Sequence, residues 1–388
     1  MTETTISAKP TKSGSTLRSL RTKEQITGYL FTLPALVIIL IFGLFPIGYS
    51  FYMSLFNWRV TKGAYIGGKN YLLIFGSWTN LLITLAGIAL IMLAFWVWSN
   101  AYKSLNKSQK IAKLVAAVIM IVGGVIFVTG WGYMYESGNR SFLNSLIITL
   151  YYALGTVPAE VLLGMMLAFL LYQEIIGKDI FRMIYFLPYV TPSVTTAVVF
   201  QIIFSLRETS IANMIVGWFG ISPQKWRFEK TPLLNLLGLE LGGFLAGPSL
   251  ALISIMFYGI WSFVGYNTVI FLAGLGNIPK ETYEAAEIDG ATRGQIFRHI
   301  TMPLLSPTTF YLTLVGFIGT FKAFNHIYVL RTPSAGDSVI TTSLLIFDNF
   351  YKANQYGIAT AQAILLFLVI LGLTLAQNKL MGERVFYG

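Results

Sequence analysis

Apolar and polar positions fall in long alternating blocks along this chain. Apolar runs occupy about 28–56, 81–99, 111–134, 142–173, 182–206, 250–275, 304–330 and 357–377. Each approaches or exceeds the ~20 residues that carry a helix across a bilayer. The pattern therefore predicts an all-α polytopic membrane protein with about eight transmembrane helices. Pro34 and Pro46 are kink positions in the first span, and Pro188 and Pro192 fall inside the fifth, where neighbouring helices can satisfy the freed backbone. The first run is too long for a signal-peptide core and no small-residue cleavage site follows it, so it is expected to be a retained span. The blocks divide the chain into a basic tail (1–27), three spans over 28–141, and a core of five spans over 142–388. Residues 81–134 hold two of the spans in the first group, joined by a loop bearing Lys103, Lys107, Lys110 and Lys113, and 207–249 is the longest connection.

The polar island at 276–303 has the most local structure written into it. Pro279 can open a short helix with Glu281 in its first turn, where the helix dipole favours a carboxylate. Asp289-Gly290 suits its end, since glycine accepts the left-handed C-cap conformation. Thr292 and Gln295 have the spacing of a capping box, opening a second helix with an apolar face of Ile296, Phe297 and Ile300. Pro303 is expected to end that helix before the next span. Two short helices joined at a glycine would form a knob standing off the membrane, a shape suited to docking another protein.

Composition narrows the chemistry. The chain has 388 residues, 55% hydrophobic and 11% charged, which excludes an ordinary soluble globule. The formal charge of +11 could suggest nucleic acid, but its placement reads as topology. Sixteen Lys and Arg fall in the tail, the 100–113 loop, at Lys178 and Arg182, in the polar island and at the C-terminus; ten fall on the opposite side. By the positive-inside rule the island and both termini face the cytoplasm. No cysteine is present, and the two histidines, His299 and His326, lie on different segments. A cysteine-ligated metal and a two-histidine site on one helix are thereby excluded. Gly68-Lys69 and Gly177-Lys178 lack the Ser or Thr of a P-loop, so no ATP-Mg site is expected in this chain. No catalytic constellation shares one face of a span.

Within the spans, Gly316, Gly319, Thr320 and Ala323 follow i, i+3, i+4, i+7 and share a helical face. Either they allow close helix packing or they leave room for a bulky ligand. Tyr258, Trp261, Tyr266 and Asn267 on span six offer rings and polar groups at membrane depth. Glu160, Lys322 and His326 are ionisable groups placed inside spans. They leave open a second reading, an ion-coupled secondary transporter with these three as a proton relay.

The run Glu284-Ala285-Ala286, with Asp289-Gly290-Ala291, Phe297, Ile300, Pro303 and Pro307, resembles the Glu-Ala-Ala loop of ABC importer permeases. In its longer form it is similar to the carbohydrate branch, the maltose-type, binding-protein-dependent permeases. The resemblance covers span one and runs from about 142 to the end, leaving 81–134 as an added pair. It implies a non-catalytic subunit of a bacterial or archaeal cytoplasmic (inner) membrane. Such a subunit pairs with a second permease subunit, rests on an ABC ATPase dimer that holds the ATP-Mg, and receives carbohydrate from an extracytoplasmic binding protein. The nine knob positions named above through Pro303 would couple to the ATPase, with Glu284 as polar anchor and Gly290 as the turn. The same alignment places Ser262, Phe263, Tyr266, Gly316, Gly319, Thr320 and Ala323 along the sugar path, with Asn267 and Lys322 beside them. Arg331-Thr332-Pro333 stands where the family commonly has Gly-Gly-Pro.

Overall fold

The structure is a computed structural model that describes residues 14–101, 108–173 and 176–382. The start of the basic tail, part of the 100–113 loop and Arg384 lie outside the described residues. Helix α1 (Gly14–Ile39) passes through a π-turn at Leu40–Leu44 into α2 (Phe45–Ser54). A short α3 (Lys69–Phe75) leads to the hairpin α4 (Trp78–Ala101) and α5 (Ser108–Ser137), then α6 (Arg140–Tyr172). The pair α7 (Lys178–Val190) and α8 (Ser193–Ile203) follows, and the small helices α9 (Ile211–Gly217) and α10 (Leu233–Leu236) fill the long connection. Next come α11 (Leu250–Gly276), the knob helices α12 (Lys280–Ile288), α13 (Arg293–Ile296) and α14 (Met302–Leu304), and α15 (Ser306–Phe321). Helices α16 (Asn325–Leu330), α17 (Thr342–Phe347) and α18 (Tyr356–Met381) complete the fold.

Among the described residues six helices are long and apolar enough to cross a membrane, and eight crossings result if each of two bent pairs counts as one. The first bent pair corrects the continuous span expected over 182–206. Helices α7 and α8 meet at 98°. Thr191, preceding Pro192, is forced into extended backbone (φ −75°, ψ 139°), because the proline ring disfavours the helical region for its predecessor. The expected span 304–330 is corrected too: α15 stops at Phe321, Lys322 is its C-cap, and the chain restarts only at α16. At its other end Pro303 does not terminate the knob helix. A π-turn over Phe297–Thr301 carries the chain into α14, and the wider turn absorbs the proline's missing N–H. The bend, 58°, falls between Leu304 and Ser306.

The core is built on α6 and α11, which run parallel. Gly164 sits so near Asn267 that an added Cβ would lie 2.6 Å from the Asn267 Cβ, and Gly259 lies equally close to the Tyr152 hydroxyl. Gly265 touches the Tyr185 backbone, so α7 presses on the same helix. Tyr152, Leu252, Ile255, Tyr258 and Ile327 form one buried cluster, and Val161, Phe271, Leu275, Leu305 and Leu312 form another nearer the knob. The hairpin α4–α5 packs mainly on itself, touching the core through Ile74, Phe75, Met134 and Phe142. From Thr22 onward helices α1 and α2 are apolar and almost wholly uncovered, with Met53 and Ser54 the buried residues among those described.

Candidate functional site

The knob is built from local rules. Pro279, extended at φ −59° and ψ 136°, caps α12, and Glu281 occupies the first turn. At the far end Gly290 adopts φ +76°. Its N–H donates to the Glu287 carbonyl at 3.0 Å while the Ala291 N–H reaches the Ala286 carbonyl at 2.9 Å. This pair of bonds is a Schellman C-cap, and it requires a left-handed residue at that position. Thr292 and Gln295 then form both halves of a capping box, with the Thr292 N–H donating to Gln295 Oε1 at 2.8 Å. Phe297 fixes the second helix to the end of α6 through an edge-on contact with Phe169 at 5.2 Å.

The outer surface of the knob is left open. Glu284, Ala285, Asp289 and Gly290 are exposed, and Ala286, Ala291, Phe297, Ile300 and Pro303 are half-buried behind them. Ile288 is 87% exposed. A cleft of about 310 Å³ opens between the helices, bordered by Asp289, Gly290, Gln295, His299 and Ile300. An exposed carboxylate, an exposed isoleucine and a cleft on a rigidly capped turn provide a shaped docking surface.

The expected path residues separate into two groups. Around α11, Ser262 and Asn267 are buried, while Phe263 is partly open and edges onto Tyr189 at 5.7 Å. Tyr266 stacks on Tyr189 at 4.7 Å. Tyr189 lies in the last turn of α7 just before the break, a role sequence reading missed, although Pro188 and Pro192 marked the place. On α15 the residues meet different surroundings. Gly316 packs against Val157, Gly319 faces open space, Thr320 is buried and bonds its own helix at the Phe317 carbonyl, and Ala323 lies beyond the helix end. Lys322 is exposed.

Of the three ionisable groups considered as a relay, Lys322 is exposed, while Glu160 and His326 are buried. His326 is buried, hydrogen-bonded through Nε2 to the Tyr152 hydroxyl at 2.7 Å and stacked on Tyr258 at 4.8 Å. Tyr258 itself bonds Thr196 at 2.8 Å and the Ser193 carbonyl at 3.0 Å, tying α8 to this hub. Tyr258 is thus a structural tyrosine, not an open stacking platform. On the side away from the knob, Arg331 and Lys352 both hold Asp348, at 2.7 and 2.9 Å. Among the described residues no cluster of three or more His, Asp or Glu is placed to hold a metal.

Comparison with known proteins agrees with this architecture. Residues 160–386 match the family described as binding-protein-dependent transport system inner membrane component. The arabinooligosaccharides transport system permease protein AraP of Bacillus subtilis is 32% identical over 265 residues, covering 68% of this chain and 79% of the relative. The trehalose/maltose transport system permease protein MalF of Thermococcus litoralis is 29% identical over 64% of this chain and 77% of its own length. A solved bacterial alginate ABC transporter contains a chain that superposes with a TM-score of 0.52 at 21% identity, covering 73% of this chain and 98% of that one. With the knob motif in place and the match spanning more than half its length, the chain belongs to the binding-protein-dependent transport system inner membrane components, among the ABC sugar permeases.

Proposed function

We propose that this chain forms, with a second permease subunit, the translocation path of an ATP-driven importer of a di- or oligosaccharide. The observation that carries the reading is the knob: two short helices at an angle fixed by the Gly290 cap, with Glu284 and Ile288 presented outward. That geometry suits a cleft on a cytoplasmic ABC ATPase dimer, and the sequence offers no nucleotide site of its own. ATP binding would close the ATPases, draw the two permeases' knobs together and turn the path outward. An extracytoplasmic binding protein would then release sugar at the opposite mouth. The charge distribution supports a cytoplasmic knob and cytoplasmic termini. Relatives named for arabino-oligosaccharide and for trehalose/maltose transport support an oligosaccharide cargo. Half-open rings at Phe263, Tyr266 and Tyr189 suit the apolar face of a sugar ring.

The test is purification of the tagged chain from its native membranes in mild detergent, followed by reconstitution. Recovery of a P-loop ATPase and one related permease, with uptake that needs ATP, is the expected result. A chain recovered alone that transports without ATP would overturn the reading.

A further inference from the structure

A loop on the side away from the knob presents an exposed apolar surface outside every candidate span. Its base is pinned: the Leu233 N–H donates to the Pro248 carbonyl at 3.1 Å and the Leu250 N–H to the Thr231 carbonyl at 3.2 Å. Residues 233–248 thus leave and rejoin the body at one neck, immediately ahead of α11. Gly238 at φ +87° and Gly243 at φ +58° turn the loop into a finger that folds back on itself. Leu236, Leu237, Leu239, Leu241, Phe244 and Leu245 are between 37% and 70% exposed, and Glu240 is the finger's one charge.

Helix α6 fixes the finger's depth. The Tyr151 hydroxyl donates to the Phe244 carbonyl, and the two rings stack at 5.2 Å. Tyr151 lies eleven residues, about 16 Å, from the start of α6 at Arg140 and 21 residues, about 31 Å, from its other end at Tyr172. A hydrocarbon core of ~30 Å reckoned from Tyr172, where the chain turns polar at Gln173, therefore ends beside Phe244. Gly259, the tenth residue of α11, lies against Tyr152, so Phe244 stands level with the first turns of that apolar helix and not above it.

We propose that residues 233–246 form an interfacial anchor: the finger lies in the headgroup boundary of the bilayer, with Leu237, Leu239, Phe244 and Leu245 set among the outer ends of the acyl chains. The inference stands apart from the import reading. Elements that rest on a membrane carry an apolar surface at this depth and favour an aromatic ring at headgroup level. Irregular backbone of this kind cannot sink further, because its N–H and C=O groups must reach water. At the boundary they do, and so does Glu240. A soluble partner is the poorer occupant. A protein that docks and departs would return six large apolar side chains to water at every release, a patch that protein surfaces avoid. Lipid is always present. Ser249, the N-cap of α11, follows the finger directly, so the anchor would hold the long connection at a fixed height over the bilayer.

The chain has no cysteine, so one nitroxide can be placed at Leu237→Cys or Leu245→Cys, with Arg140→Cys, at the exposed start of α6, as the reference. The labelled chain, with whatever partners co-purify, is studied in phospholipid vesicles. Collisions are measured with oxygen, which concentrates among acyl chains, and with a nickel chelate, which stays in water. At Leu237 and Leu245 nickel collisions should be lost and oxygen collisions kept, while at Arg140 nickel collisions persist. A label at Leu239→Cys should behave as those at Leu237 and Leu245 do, and should regain nickel collisions when Leu237→Glu and Leu245→Glu are combined with it. Free nickel access at both finger labels would place the finger in water and overturn the anchor. Shielding from both reagents would show that a protein covers it, a second permease or a binding protein, and would overturn the anchor equally. Neither result touches the import reading, which is tested by the need for ATP.

Discussion

Gly290 offers the sharpest test of how the knob works. At φ +76° it occupies backbone that costs an L-residue about 1–2 kcal/mol. A Cβ added there would meet no atom within 4 Å, so the whole penalty is conformational and none is steric. Gly290→Val cannot hold the Schellman turn without that strain, and relief of it swings α13 away from its present angle to α12. A bias of 1–2 kcal/mol lowers the population of the docking geometry by a factor of about 5–30. The affinity of the purified permease for its ATPase should fall by that factor, and sugar-stimulated ATP hydrolysis with it. Gly290→Asn, which tolerates the left-handed region, should lose least. Four residues away, Gly294 is helical and also has open space at its Cβ. Gly294→Ala should therefore leave coupling intact and firm the helix by roughly 0.5–1 kcal/mol. Neither residue lies in a span, so membrane levels should match the wild type. Titration of ATPase onto immobilised permease reads the effect directly. Equal binding by Gly290→Val and Gly294→Ala would refute the idea that the turn sets the docking angle.

Other outcomes follow from the packing. Gly265→Val drives a side chain into the Tyr185 carbonyl region, and should reduce the chain recovered folded from the membrane, as measured by monodisperse elution in detergent. Tyr152→Phe leaves the buried His326 nitrogen without its partner, at a cost of about 1–3 kcal/mol, which thermal unfolding in detergent should register as a lower midpoint. Asp348 lies outside the spans. Burial pushes its carboxyl up, but the hydrogen bonds and charges of Arg331 and Lys352 outweigh this and hold it below its ordinary 3.8. A lowered carboxyl contributes stability above its unfolded value that is lost as pH falls through the folded one. Asp348→Asn should thus melt earlier than wild type at pH 7, with the difference closing below pH 4; a constant gap would argue against the ion triad.

Much of this architecture is legible in the chain because a bilayer leaves few choices for the backbone. The apolar blocks locate nearly every long helix, and Thr292 with Gln295 and Asp289 with Gly290 announce the knob, since capping is decided by four or five neighbouring residues. What escapes is decided by contacts distant in sequence. Hydropathy runs unbroken through Thr191-Pro192 and through Lys322, yet the first bends by 98° and the second ends a helix. Of the periodic set Gly316, Gly319, Thr320 and Ala323, the first three lie on α15, but the helix ends at Phe321 and leaves Ala323 outside the face. Tyr189 and Tyr266, 77 residues apart in sequence, meet across the broken helix, and no local pattern signals that stack. Glu160 reads as an ionisable residue in a span, but its burial on the line of α6 that faces α11 is visible only in three dimensions.

The central claim is that the knob docks an ATPase, and the absence of cysteine makes a direct measurement possible. A single cysteine at Ile288, 87% exposed on the knob, carries a short photo-crosslinker; a second variant carries it at Trp218, 81% exposed in the long connection on the other side. After illumination of native membranes, the account predicts that Ile288→Cys captures a P-loop ATPase and Trp218→Cys does not. Capture of the ATPase from Trp218, or of no ATPase from Ile288 while the complex still transports, would contradict it.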